Sequence, residues 1–186
     1  MAFLLWLTKR GTYAKKSGLY IGETGKTPIG KLWLAVSDLG LVAIECGLTQ
    51  AEFEAYLVKR FKLTIEVAPE RIRAAAGEVI KYLSGQQRTF TQAIDWTVLR
   101  PFQQAVLKAT YEIPYGETRT YKEIAERIGR PHAARAVGRA EATNPMPLVL
   151  PCHRVIGVDG KLHGYRLGEG VKTKEWLLVM EGAVMT

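Results

Sequence analysis

Short apolar runs separated by turn-forming residues open the first half of the chain. The runs span residues 19–21, 31–36 and 41–44, and Asp38-Leu39-Gly40 lies between the last two. Runs of this length bounded by glycine and aspartate are typical of strands joined by tight turns. The pattern predicts a small antiparallel sheet, with Cys46 at the end of the last strand as a buried structural thiol.

Apolar residues at helical spacing follow these strands. Thr49 and Glu52 lie three residues apart, which is the sequence signature of a capping box and predicts a helix start. A second helix is predicted over about 70–83. Residues 1–95 show no set of a nucleophile, a base and an acid that could form a catalytic site. This part is therefore predicted to be a structural α/β domain with a basic extension over residues 1–16.

The second half of the chain, residues 96–186, is predicted to be a mainly α-helical domain. Thr120 and Glu123 form a second capping-box pair before a short helix. A glycine-containing turn then leads into a helix over about 133–143 that is rich in alanine and arginine. This order is typical of a DNA-binding helix-turn-helix, and an ordinary helical hairpin with solvated arginines is the alternative.

Composition and charge narrow the choice of partner. The chain has 186 residues, of which 26 are lysine or arginine and 18 are aspartate or glutamate, so its net charge is +8. Nucleic acid is therefore a candidate partner, although solubility alone also accounts for a basic surface. Two distant cysteines do not make a disulfide framework, and no apolar run reaches membrane-spanning length, so a cytoplasmic location is expected.

The segment Pro151–Gly157 places a thiol, Cys152, next to an imidazole, His153. Adjacent side chains of an extended segment point to opposite faces, so the two cooperate only where the backbone turns. A buried thiol beside an exposed histidine is the alternative. Glu181 ends the last predicted helix, where its charge opposes the helix dipole; simple exposure is one explanation, and use of the carboxylate in a site is the other.

These segments, taken in order, resemble the O6-alkylguanine-DNA alkyltransferases, which repair DNA by direct reversal of the damage. The resemblance runs from residue 100 to residue 182. It is carried by Arg100-Pro101-Phe102-Gln103-Gln104, Ile113-Pro114-Tyr115-Gly116-Glu117-Thr118, Tyr121-Lys122-Glu123-Ile124-Ala125, Ala134-Arg135-Ala136-Val137-Gly138, Asn144-Pro145, Pro151-Cys152-His153-Arg154-Val155-Ile156-Gly157, Gly164-Tyr165 and Trp176-Leu177-Leu178-Val179-Met180-Glu181-Gly182.

The resemblance implies a self-inactivating methyltransferase. Cys152 would accept the alkyl group from O6-alkylguanine, and also from O4-alkylthymine, and would keep it as a thioether. His153 would take the thiol proton through a water, Glu181 would orient His153, and Asn144 would brace the turn that carries the thiol. Each molecule would act once, as a monomer and without a cofactor.

The resemblance also implies that the helix-turn-helix binds double-stranded DNA in the minor groove and that the damaged nucleotide is flipped out. Arg135 would replace the flipped base and Tyr121 would contact the adjacent phosphate and the guanine. The remaining DNA contacts are expected from Ala133, Ala134, Gly138 and Arg139. The substrate pocket is expected to consist of Tyr121, Pro147, Val155, Tyr165 and Arg166.

Two departures from the family pattern bear on these expectations. Arg166-Leu167 stands where many members have small residues, which affects the predicted contact to O6 and the size of the alkyl group. Some members bind zinc in the first domain, but here only one cysteine and no histidine precede residue 132. No metal is therefore expected.

Three other functions compete with this interpretation. A related class carries tryptophan in place of the acceptor cysteine and only marks lesions, which Cys152 argues against. A transcriptional regulator would use the helix-turn-helix but would leave Cys152, His153 and Glu181 without a task. A thiol hydrolase would turn over, and the sequence shows no separate oxyanion site.

Overall fold

A computed structural model describes residues 18–183, so the predicted basic extension over 1–16 lies outside the described residues. The first part of the described chain forms a sheet and two helices. The strands are β1 (Gly18–Glu23), β2 (Leu32–Ser37), β3 (Gly40–Cys46) and β4 (Thr64–Val67), and the helices are α1 (Gln50–Phe61) and α2 (Pro69–Leu83).

The sheet is mixed, with strand order β3-β2-β1-β4. The predicted antiparallel arrangement is confirmed for β1, β2 and β3, which pair with their sequence neighbours. The four-residue strand β4 was not predicted, and it pairs parallel to β1 because α1 returns the chain to the same end of the sheet. Cys46 is only partly buried, and its sulfur accepts a hydrogen bond from the Gly168 backbone N–H at 2.8 Å.

The two faces of this sheet are covered by different helices. Alternate side chains of a strand point to opposite faces, so Leu34 packs with residues of α2, whereas Ala35 packs with Phe53 and Leu57 of α1. The predicted capping box of α1 is present in both directions, since Thr49 accepts from the Glu52 N–H and the Glu52 carboxylate accepts from the Thr49 N–H.

The second part is mainly helical, as predicted. Its elements are α3 (Pro101–Tyr111), β5 (Arg119–Thr120), α4 (Tyr121–Arg127), α5 (Ala134–Ala142), β6 (Val155–Ile156) and α6 (Val171–Glu181). The Thr120–Glu123 capping box begins α4. Val106, Ile124 and Val137 pack into one core, which holds α4 and α5 as a helix-turn-helix against α3.

The largest core cluster joins both parts of the chain. Leu32 and Ile72 pack in the same cluster as Leu107, Leu150 and Leu177. The boundary between residues 95 and 96 therefore stays a prediction. Within residues 18–183, none of the helices has the length and apolar character needed to cross a membrane.

Candidate active site

Cys152 lies at the start of a short 3-10 turn that ends at Arg154. The Arg154 N–H donates to the Pro151 carbonyl at 2.9 Å and closes this turn. The backbone thus bends between Cys152 and His153, as cooperation of their side chains requires. His153 has no exposed surface, and Cys152 retains 7% exposure. The alternative of a surface histidine beside a structural thiol is excluded.

Asn144 holds the segment that leads to the thiol. Its side-chain amide donates to the Leu150 carbonyl at 2.8 Å, and its side-chain oxygen accepts from the Met146 N–H at 3.0 Å. Leu148 between them has a positive φ of 74°, a conformation that costs energy for a branched residue. The two Asn144 hydrogen bonds stabilise this strained turn, which fixes where Cys152 emerges.

The Glu181 carboxylate accepts hydrogen bonds from five donors of the described chain. Its Oε1 accepts from the Tyr82 hydroxyl, from His153 Nε2 at 2.8 Å and from Arg154 Nη2 at 2.9 Å. Its Oε2 accepts from Arg154 Nε at 2.8 Å and from the Gly116 N–H at 3.2 Å. Although burial alone would raise the pKa of Glu181, these donors hold it well below its ordinary value, so the side chain is ionised.

An ionised Glu181 fixes the tautomer of His153. A carboxylate only accepts hydrogen bonds, so the ring nitrogen facing it, Nε2, must carry the hydrogen. Burial lowers the pKa of His153 despite the nearby carboxylate, which makes the resting imidazole neutral. Its other nitrogen, Nδ1, is then an unprotonated base, and this buried atom has no hydrogen-bond partner in the described chain.

Helical periodicity explains why Glu181 is inside. The buried side chains of α6 include Lys174, Leu177, Leu178 and Glu181, which follow the spacing of one helix face. Trp176 is 36% exposed and lies off that face. The cost of a carboxylate at a helix C-terminus is offset by the ion pair with the buried Arg154.

The thiol itself is protonated in this arrangement. Burial raises the pKa of Cys152 to about 12, and the Glu141 carboxyl contributes in the same direction when it is charged. Glu141 is fully buried, and burial raises its own pKa to about 8, so it is mostly neutral at pH 7. Burial is therefore the main reason that the thiol keeps its proton, and no hydrogen bond joins Cys152 directly to His153 in the part of the chain described.

Glu141 and the buried Lys174 form a second polar region near the thiol. Thr110 Oγ1 donates to Glu141 Oε1 and also lies 3.1 Å from the Val106 carbonyl, which is a second acceptor for the same hydroxyl. Lys174 Nζ donates to the carbonyls of Val155 at 2.6 Å and His163 at 3.0 Å. Lys174 thereby ties α6 to the segment after Cys152.

A groove of about 540 Å³ lies on the helix-turn-helix side of the molecule. Tyr121, Ala134, Arg135 and Gly138 form one wall, and the segment around Gly157–Gly164 forms the other. Arg135 is exposed, whereas the small residues beside it leave the backbone of α5 accessible. Such a wall allows another large surface to approach closely.

The methylated-DNA–protein-cysteine methyltransferase of Methanosarcina barkeri is 43% identical over 162 residues, which are 84% of this chain and 93% of that protein. The chain belongs to the methylated-DNA–protein-cysteine methyltransferase family. The Mycobacterium bovis methyltransferase of the same name is also 43% identical, over 86% of this chain and 90% of its own length.

A match to a family model and similarity to solved structures also support membership in the methyltransferase family. Residues 101–183 match the family described as 6-O-methylguanine DNA methyltransferase, DNA binding domain. The crystal structure of Mycobacterium tuberculosis O6-methylguanine methyltransferase is similar with a TM-score of 0.69, 36% identity and coverage of 91% of this chain and 95% of that chain. That of Mycobacterium tuberculosis OGT in complex with DNA has a TM-score of 0.71, 38% identity and coverage of 88% and 93%.

The methyltransferase fold brings most of the predicted site residues together. His153 and Glu181 share a hydrogen bond next to Cys152, and Asn144 hydrogen-bonds the segment that leads to Cys152. The ring of Tyr165 lies edge-on to that of His153 with centroids 6.3 Å apart. Pro147 and Val155 are buried, Ala133 directly precedes α5, and Arg139 lies on α5.

Arg166 does not fit the predicted pocket. Its guanidinium pairs with Glu45 of β3 and lies 5.5 Å from the ring centroid of Tyr56. This corrects the expectation that it lines the substrate pocket. The physical reason is that Glu45 is buried and needs a cation, which a long side chain at position 166 supplies.

Sequence reasoning missed four polar residues of this site: Tyr82, Glu141, Arg154 and Lys174. Arg154 and Lys174 could have been found, because one follows the Cys-His pair and the other shares a helix face with Glu181. No residue close to Tyr82 in the sequence indicates that it belongs to the site.

In residues 18–183, no group of three or more histidine, cysteine or acidic side chains could hold a metal ion.

Proposed function

We propose that this protein repairs O6-alkylguanine in double-stranded DNA by moving the alkyl group irreversibly to its own Cys152. The observation that carries the proposal is the unprotonated, unpartnered Nδ1 of the buried His153, held by Glu181 next to the residue that bears the thiol. Family membership supports the same reaction.

The reaction begins with loss of the thiol proton. His153 Nδ1 takes it through an intervening water, since the two side chains make no direct hydrogen bond in the described chain. A thiolate is the nucleophilic form of cysteine, and Cys152 needs this base because burial keeps its pKa high. Glu181 stabilises the imidazolium that results.

The thiolate then attacks the alkyl carbon in line with the bond to O6. The bond between sulfur and carbon forms as the bond between carbon and O6 breaks, and the electron pair returns to the purine. The guanine regains a proton at N1, which balances the proton lost by the thiol. The thioether is a poor leaving group, so each molecule acts once and needs no cofactor.

Base flipping gives the thiol access to its substrate. The groove lined by Tyr121, Arg135 and Gly138 supports docking of the helix-turn-helix in the minor groove, with Arg135 in the place of the flipped base. Ala133 and Ala134 permit close approach and Arg139 adds charge. Phosphate contacts suit a repair protein with a net charge of +8.

We also propose that it acts as a monomer in the cytoplasm, where a thiol stays reduced.

The pocket is proposed to receive the guanine between Tyr121 and Tyr165, against Pro147 and Val155. The hydroxyl of Tyr165 is buried and has no hydrogen-bond partner in the described chain. Buried polar groups without partners cost free energy, so a ligand that supplies polar edges is stabilised there.

Intact-mass measurement tests the proposed function. Incubation with duplex DNA that contains O6-methylguanine should add one methyl group per chain, located by peptide mapping on Cys152, and the reaction should then stop. Cys152→Ser should receive no methyl group. The chain offers its own control, because Cys46→Ser removes the other cysteine and should still be methylated. Continued turnover, or methylation of Cys152→Ser, would contradict the proposal.

A further inference from the structure

Tyr82 is the one residue of the N-terminal sheet-and-helix part whose side chain reaches the hydrogen-bond network at Glu181 in the described chain. It lies in the last turn of α2 and is fully buried. Its hydroxyl lies 3.2 Å from His153 Nε2 and donates to Glu181 Oε1. These partners are 71 and 99 residues away in sequence, so the fold alone brings them together.

We propose that Tyr82 is a positioning residue for alkyl transfer, which holds the His153 ring in the orientation that aims Nδ1 at the thiol. This inference rests on the proposed function. It assigns part of the catalytic apparatus to residues 1–95, which sequence analysis predicts to be purely structural.

Hydrogen-bond donors and acceptors allow only one arrangement of the three groups. Glu181 is ionised and accepts, so the Tyr82 hydrogen points to Glu181 Oε1 and the Nε2 hydrogen points away from the ring. A lone pair of the Tyr82 oxygen then faces the Nε2–H. This hydrogen is shared between Glu181 Oε1 at 2.8 Å and the Tyr82 hydroxyl at 3.2 Å.

Two acceptors restrain the imidazole more than one does. A single contact at Nε2 lets the ring tilt about it and moves Nδ1, on the far side of the ring, away from the thiol. The Tyr82 oxygen is itself fixed, because its ring packs against Phe90 with centroids 5.0 Å apart and against Tyr115 at 6.3 Å. Burial and the charge of Glu181 raise the pKa of Tyr82 far above its ordinary value, so the hydroxyl keeps its hydrogen throughout.

Single-turnover kinetics of Tyr82→Phe test the positioning role. The amplitude of methyl transfer reports the fraction of folded, competent protein, whereas the rate constant reports the chemistry of that fraction. The rate constant should fall about tenfold, as expected for loss of one hydrogen bond to a charged group. The loss should be the same for duplex DNA and for free O6-benzylguanine, because Tyr82 acts on the imidazole and not on DNA docking.

Imidazole NMR gives a readout that does not depend on activity. The chain has three histidines, and His132 and His163 are exposed, so only His153 should give a slowly exchanging Nε2–H resonance in histidine-labelled protein. That resonance should shift and exchange faster in Tyr82→Phe. A wild-type protein that transfers no methyl group would refute the proposed function and leave this measurement valid.

Tyr56→Phe is the matched control. It removes a hydroxyl from the same part of the chain, where Tyr56 packs against Phe53 and lies near Arg166. Its rate constant and the His153 resonance should equal those of the wild type. A Tyr82→Phe protein with the wild-type rate constant and an unchanged Nε2–H resonance would overturn the inference, and so would an equal loss of rate in Tyr56→Phe.

Discussion

Two buried glutamates near Cys152 differ in charge because their surroundings offer different numbers of hydrogen donors. Glu181 accepts from five donors, including two from Arg154, and its pKa is lowered despite burial. The Glu141 carboxyl has Thr110 as its one hydrogen-bonding neighbour within residues 18–183, and burial raises its pKa to about 8. At neutral pH the same residue type is thus an anion in one region and a mostly neutral acid in the other.

The two glutamates therefore have different effects on formation of the Cys152 thiolate. The anion stabilises an imidazolium and therefore assists proton removal from Cys152. A second anion at Glu141 would oppose formation of the thiolate, since like charges raise the pKa of a thiol. The site places negative charge on the histidine side and keeps it off the Glu141 side until the pH approaches 8.

Glu181→Gln should have the largest effect. It leaves the buried Arg154 without a counterion, which costs about 3–5 kcal/mol of unfolding free energy, and it removes the charge that sets the His153 tautomer. The rate constant of methyl transfer should fall at least about a hundredfold. Glu175→Gln, on the exposed side of the same helix, is the control and should change neither quantity.

The pH dependence of this variant sharpens the comparison. The pKa of Glu181 is lowered by folding, so its contribution to stability is present above the unfolded value and is lost as the pH falls below it. Chemical denaturation at pH values below the unfolded pKa of a glutamate should therefore show that the free energy of unfolding falls more steeply with pH for the wild type than for Glu181→Gln. Parallel curves would mean that the five donors do not hold the carboxylate ionised.

Glu141→Gln should have the opposite effect on the pH dependence of stability. Folding raises the pKa of Glu141 from its ordinary value to about 8, so wild-type stability falls as the pH rises through the range between these values. The glutamine variant should escape this loss and be more stable at pH 8 by on the order of 4 kcal/mol. Denaturation midpoints at pH 5 and pH 8 measure the difference.

The same variant should transfer methyl groups faster than the wild type above pH 8 and at a similar rate at pH 7, because the charge it removes forms only at the higher pH. A rate advantage that is equal at both pH values would show that Glu141 is already ionised at neutral pH, and the contrast with Glu181 would fail.

Arg166→Met should have the smallest effect. It tests Glu45, a buried carboxyl whose surroundings are intermediate between those of Glu181 and Glu141. Glu45 is buried with a half-exposed Arg166 as its partner, and burial still raises the pKa of Glu45 although the guanidinium lowers it. Loss of the cation should cost about 1 kcal/mol of unfolding free energy. The methyl-transfer rate constant should stay within about twofold of the wild type. A large loss of rate would return Arg166 to the substrate pocket.

Local rules account for the parts of the fold that sequence analysis predicted. Both capping boxes and the three antiparallel strands depend on residues within a few positions of each other, and all are present. Strand β4 was missed because its four residues include only two apolar side chains and its partner lies far away in sequence. On α6, Leu177, Leu178 and Glu181 are buried, whereas Trp176 is 36% exposed.

The sequence by itself determined the main helices, the three antiparallel strands, the thiol and imidazole at 152 and 153, and the resemblance that names the family. These depend on backbone conformation and on adjacent residues. Only the tertiary structure decided which polar groups are charged and which way they point. The approach of Tyr82 to Glu181, the neutrality of Glu141 and the turn of Arg166 toward Glu45 depend on burial and on contacts between distant segments, because desolvation and hydrogen bonding act through space.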